Sequence, residues 1–195
     1  MKIILASQSP RRLFLLQAAG FFVDVRPSHI DESPKLGEDV QKMTSRLCLE
    51  KAKACLLQRD EQHTAVIAAD TLVVLGDDVL GQPENIAQAK VMIQKLSGKQ
   101  HQVYTTVCVR LGEIYKLKTV TTQVMFREIS DAEIDVYVQH NDILDKAGAY
   151  AIQGGASGFI TSIQGSLDNV IGLPVQETIQ LLEKIRDEEF RGEHQ

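Results

Sequence analysis

Near the start of the chain, Ser7-Gln8-Ser9-Pro10-Arg11-Arg12 brings two hydroxyls and two guanidiniums together. Ser9 reads as a helix N-cap and Pro10 as the first helical residue, so the group sits where a strand passes into a helix. Backbone N–H groups and the positive end of the helix dipole attract anions there. Guanidinium forks match phosphate oxygens two at a time, which makes a triphosphate a natural ligand for Ser7, Arg11 and Arg12. The same residues also read as a capped helix with solvated arginines.

A second set centres on Asp70, which interrupts the apolar runs 66–69 and 72–75. A carboxylate there costs burial free energy unless it is paired, solvated or bound to a metal, so it suits a general base or a Mg²⁺ ligand. The plainer alternative is an Asp that caps a turn through Thr71. Glu32 lies in a polar loop, and Glu50, Lys51 and Lys53 follow on a long helix. Such charges form either a surface ion-pair network or a metal and phosphate site, and spacing alone leaves both open. Residues 145–155 mix Asp145, Lys146, Tyr150 and Gln153 with several glycines, the pattern of a backbone that approaches a ligand closely.

The elements that must position these residues follow from periodicity and punctuation. Residues 2–6 read as a strand, a helix runs from Ser9 to a stop at Gly20, and residues 21–26 form a second strand. A long amphipathic helix is expected over about 38–57, a buried strand with one polar break over 66–75, and a helix over 84–96 closed by Ser97-Gly98. Two Val- and Thr-rich runs, 101–110 and 114–127, form a hairpin, and Ser130 with Glu133 makes a capping box for a helix ending near His140. A strand over 157–163 and a helix opened by Pro174 complete the order, the helix fading into a charged tail over 186–195. Mixing strand–helix units with a long hairpin predicts an α/β fold with a mixed sheet flanked by helices.

A length of 195 residues permits one domain or two small lobes, and one domain over 1–185 is the expectation. A net charge of −5 argues against stable nucleic-acid binding through phosphate neutralisation. The first six residues read as a buried strand rather than a leader, and no run is apolar enough to span a membrane, so a cytoplasmic protein is expected. Cys48, Cys55 and Cys108 lack a Cys-x-x-Cys pair and read as structural thiols, the first two sharing a helix face.

Taken together, residues 7–12, Ala69-Asp70-Thr71, Asp145-Lys146-Ala147-Gly148-Ala149-Tyr150 and Ile152-Gln153-Gly154 resemble the Maf family of nucleotide pyrophosphatases. The likeness extends through Lys95-Leu96-Ser97-Gly98, His101 and residues 170–174. It implies an α/β, Maf/ITPase-like fold with two lobes around a cleft, often a homodimer, and cleavage between the α and β phosphates with Mg²⁺ or Mn²⁺. By position, Ser7, Arg11, Arg12 and Lys53 would bind phosphate, Glu32 and Asp70 would hold metal or activate water, and Asp70 is the implied base. Arg11, Thr71 and Gln153 match the branch acting on dTTP and UTP; the branch acting on 7-methyl-GTP differs there. Gln82 stands where most members have a catalytic lysine, and Lys146 could take over its charge. A nucleotide-binding regulator of septum formation without turnover is the competing class.

Overall fold

The computed structural model describes residues 2–192. Its strands are β1 (Lys2–Leu5), β2 (Phe22–Val25), β3 (Val66–Leu75), β4 (Asp78–Leu80), β5 (Gln100–Leu111), β6 (Ile114–Phe126) and β7 (Ile160–Gln164). They form one sheet in the order β2-β1-β3-β5-β6-β7, with β4 paired to β3. β1 runs parallel to both β2 and β3, while β4 on β3 and β7 on β6 are antiparallel, so the sheet is mixed. The helices are α1 (Pro10–Ala18), α2 (Val40–Ala54), α3 (Ile86–Leu96), α4 (Asp131–His140), α5 (Leu167–Ile171) and α6 (Val175–Gly192).

The chain divides into two compact units. One takes the described residues up to Asp70, then Thr105–Val120 and those from Gly172 onward; the other takes Thr71–Tyr104 and Thr121–Ile171. In the first, Cys48 and Cys55 pack with Ile4, Val66, Ala68 and Cys108, as their shared helix face leads one to expect. Here α6 continues past the point where the sequence suggests a fading tail. Glu188 pairs with Lys116, and Glu189 lies 2.8 Å from His63 Nδ1, which ties the last turns down. Residues 193–195 of that expected tail lie outside the described residues.

The second unit is built on an aromatic cluster. Phe126 meets His101 at 4.8 Å and Tyr150 at 4.9 Å between ring centres, both edge-to-face, and Tyr137 meets Phe159 at 5.0 Å. Such pairs add about 0.5–1.5 kcal/mol each beyond area burial. His101 is 2% exposed and its Nε2 lies 2.8 Å from the Tyr150 hydroxyl. Burial pushes the imidazole down from 6.5 to about 4. The unfolded chain therefore takes up a proton between these pH values while the folded chain does not. Stability should be level above pH 6.5 and fall by about 3 kcal/mol on acidification to pH 4. Urea unfolding of the wild type and His101→Gln across that range checks this; an equal decline in both would assign the loss to other groups.

Candidate active site

The N-terminal corner forms as its residue types suggest. Ser9 caps α1, its side chain accepting from the Arg12 N–H at 3.4 Å, and Pro10 opens the helix. The Ser7 hydroxyl accepts from Ser9 N at 3.2 Å and from Arg12 Nη1 at 3.1 Å. Arg12 Nε donates to the Gly172 carbonyl at 2.8 Å, a contact between residues 160 positions apart. Gly172 has φ 126°, a conformation that other residues rarely adopt, so the glycine presents that carbonyl at little conformational cost. Desolvation lowers the Arg12 pKa, and the charge of Asp70 opposes the shift. Arg11 precedes Arg12 on α1 and is half-buried.

Asp70 lies within β3, which continues without a break from Val66 to Leu75. As expected, the polar pair Asp70-Thr71 is carried inside one strand: Thr71 is β-branched and suits extended backbone, and Asp70 has a cation beside it. Asp70 is 5% exposed, and its Oδ1 accepts from Lys51 Nζ at 2.7 Å. Its Oδ2 is buried with no hydrogen-bond partner among the described residues. Lys51 Nζ also lies 3.0 Å from Glu32 Oε1, so one ammonium sits between two carboxylates. Burial raises the Asp70 pKa, against the opposing pull of Lys51 and then Arg12.

The structure brings Lys51, not Lys53, to these carboxylates. Two residues correspond to about 200° around a helix, so the two lysines point in opposite directions. Lys53 is exposed, with its ammonium 5.5 Å from the centre of the Tyr115 ring. The sequence carries only the spacing, Lys51 lying three residues after Cys48 and four before Cys55, and packing shows that this face of the helix is turned inward.

The remaining candidates belong to the second unit. Thr71 follows Asp70 on β3 and is half-buried. Gln82 is exposed, and its Nε2 donates to the Asp145 carbonyl at 3.3 Å. Lys146 is 8% exposed and its Nζ lies 2.5 Å from Asp145 Oδ1, so Gln82 and Lys146 both engage Asp145. Gly148 N donates to the Gly81 carbonyl at 3.0 Å. At Gly148 φ is 67°, and a Cβ would meet Val73 side-chain atoms at 3.1 Å, so both backbone and space call for glycine. Gln153 is exposed in a 3₁₀ turn, Ile152–Gly154. Tyr150, which accompanies these glycines in sequence, is a core residue held by His101.

No group of three or more His, Cys, Asp or Glu side chains poised for a metal occurs among the described residues. The donors at Asp70 and Glu32 nevertheless suit a hard divalent cation. Their carboxylates already bracket one positive charge through Asp70 Oδ1 and Glu32 Oε1, and the second Asp70 oxygen, Oδ2, is buried with no hydrogen-bond partner among the described residues. Substrate phosphate oxygens would have to complete the coordination.

Fold and site together define a mixed α/β protein in which an anion-attracting helix start and a lysine lie with a buried carboxylate in one compact unit. The family model described as Maf-like protein matches residues 2–185, and the chain belongs to that family. A dTTP/UTP pyrophosphatase of Anaeromyxobacter dehalogenans (strain 2CP-C) is 45% identical over 94% of this chain and 93% of its own length. Those of Shewanella oneidensis and Hahella chejuensis are 43% and 40% identical, covering 93% and 94% of this chain and 97% and 92% of their own. Among solved structures, the Staphylococcus aureus Ham1 protein is similar with a TM-score of 0.43 and 15% identity, over 67% of this chain and 73% of that one.

Proposed function

We propose that the chain is a nucleoside triphosphate pyrophosphatase that hydrolyses dTTP and UTP to the monophosphate and pyrophosphate with Mg²⁺ or Mn²⁺. The observation that carries this is the Lys51 ammonium between Asp70 and Glu32, in the same unit as the Ser7–Arg12 corner. Relatives at 40–45% identity that carry the dTTP/UTP pyrophosphatase name support the substrate.

Arg12, fixed by Ser7 and the Gly172 carbonyl, and Arg11 bind phosphate oxygens at the start of α1. Asp70 Oδ2 takes a proton from water as the water oxygen bonds to the α-phosphorus. The bond from that phosphorus to the bridging oxygen breaks, and pyrophosphate leaves with the bond's electron pair. Lys51 keeps Asp70 ionised and oriented through Oδ1, opposing the burial that favours the neutral acid. A divalent cation held by Asp70 and Glu32 with phosphate oxygens would supply charge against the negative charge that builds on the phosphates. In the second unit Lys146 provides the cation and Gln82 an amide donor, where the family usually has a lysine at position 82. Gln153, with a donor and an acceptor on one amide, reads the imide edge shared by thymine and uracil, and Arg11 and Thr71 match the same branch of the family. The resemblance to a family that is often homodimeric supports a homodimer.

A panel of nucleoside triphosphates scored by pyrophosphate release tests this. dTTP and UTP should exceed ATP, GTP and CTP in kcat/KM by about tenfold to a hundredfold. Faster cleavage of 7-methyl-GTP than of UTP would refute the substrate assignment. Nucleotide binding without turnover would indicate a regulator.

A further inference from the structure

Glu32 sits in a loop, residues 27–39, none of which is buried. Apolar packing therefore contributes little to its position. Polar contacts hold it instead, and they converge on one side chain of α2. Arg46 donates from Nε to Glu38 Oε1 at 2.5 Å and from Nη2 to Glu38 Oε2 at 2.8 Å. Nη2 also donates to the Ser33 carbonyl at 3.0 Å, one residue beyond Glu32. Nη1 reaches Glu50 Oε2 at 3.3 Å, and Glu50 in turn pairs with Lys35 of the loop at 3.3 Å. Within the loop, Lys35 N donates to Glu38 Oε2 at 3.0 Å.

This fork differs from an ordinary surface ion pair. Both carboxylate oxygens of Glu38 are engaged, and the Arg46 and Glu38 side chains are only 15% and 14% exposed. Two-point pairing with limited solvent access gives direction as well as attraction. Arg46 precedes Lys51 by five residues on the same helix, so α2 carries both the cation that meets Glu32 and the cation that anchors the loop bearing it.

We infer that Arg46 is a positioning residue: by gripping Glu38 and the Ser33 carbonyl it holds the Glu32 carboxylate beside Lys51 and so sets the divalent-cation requirement of the reaction. The role of Glu32 rests on the proposed function; the grip on the loop does not.

The full-length enzyme is tested as Arg46→Gln, Arg46→Lys and Glu38→Gln, with two readouts. The first is tryptic cleavage after Lys35, followed by mass spectrometry. It should accelerate by about tenfold or more in Arg46→Gln, because the loop opens locally more often. The second is the Mg²⁺ concentration for half-maximal dTTP hydrolysis, which should rise by about tenfold to a hundredfold, the usual cost of losing a group that orients a ligand. The kcat at saturating Mg²⁺ should hold, and Arg46→Lys, with a single nitrogen in place of the planar fork, should recover part of both effects. If Arg46→Gln does not fold, Glu38→Gln carries the same readouts from the loop side. Cleavage after Lys35 at the wild-type rate, or a loss of kcat at every Mg²⁺ concentration without a changed requirement, would overturn the inference. Should the wild type release no pyrophosphate, the functional proposal fails while the cleavage rates still decide whether Arg46 holds the loop.

Discussion

Asp70→Asn should lower the rate of pyrophosphate release by about 10²–10⁴ while leaving the melting temperature unchanged or slightly higher. An amide of the same shape cannot accept the proton or serve a hard cation as a carboxylate does. The stability half of this expectation follows from the sign of the pKa shift. Burial raises the Asp70 pKa above the ordinary 3.8, so the folded state holds the proton more tightly than the unfolded chain does, and ionisation at neutral pH costs stability that a permanently neutral Asn regains. Pyrophosphate release and thermal unfolding measured on one preparation check both halves. Wild-type turnover in Asp70→Asn would remove Asp70 from the mechanism, and a large fall in melting temperature would mark it as structural.

Lys51→Met should be costly in both measurements. The Lys51 and Asp70 side chains are 12% and 8% exposed, so removing the ammonium leaves a carboxylate out of water without its cation, with Glu32 adding like charge. Breaking a buried pair from one side typically costs about 3–5 kcal/mol. Activity should fall with it, because Asp70 then favours its protonated form. The double variant Lys51→Met/Asp70→Asn should regain most of the lost stability and none of the activity, a coupling expected only of groups in direct contact. Lys53, exposed and with its ammonium 5.5 Å from the centre of the Tyr115 ring, touches neither carboxylate, so Lys53→Met should alter neither measurement substantially. Urea unfolding and dTTP hydrolysis on these variants check the assignment, and a larger loss from Lys53 than from Lys51 would reverse it.

Local signals were the most legible part of the sequence. The Ser9 cap followed by Pro10, the Ser130–Glu133 capping box and the hairpin turn between the runs 101–110 and 114–127 each involve residues within a few positions, and each forms where it was expected. Asp70 was visible because a lone carboxylate in an apolar run must be accounted for. The choice between Lys51 and Lys53 required the rotation of α2 about its axis, which only packing fixes. The short strand β4 and helix α5 escaped notice because three or five residues carry too little periodicity. The strand expected over 157–163 is displaced by a 3₁₀ turn, Ala156–Phe159, which seats Phe159 in the aromatic cluster before β7 begins. Long-range contacts were the least legible: nothing near Arg12 announces Gly172, and nothing near Tyr150 announces His101.

Hydrolysis of UTP in ¹⁸O-labelled water, with the products separated and each phosphorus examined by mass spectrometry, tests the central claim most directly. The expected result is UMP and pyrophosphate in equal amounts, with one labelled oxygen on the UMP phosphorus and none in pyrophosphate, as attack at the α-phosphorus requires. Label in pyrophosphate, or UDP with labelled inorganic phosphate, would contradict it.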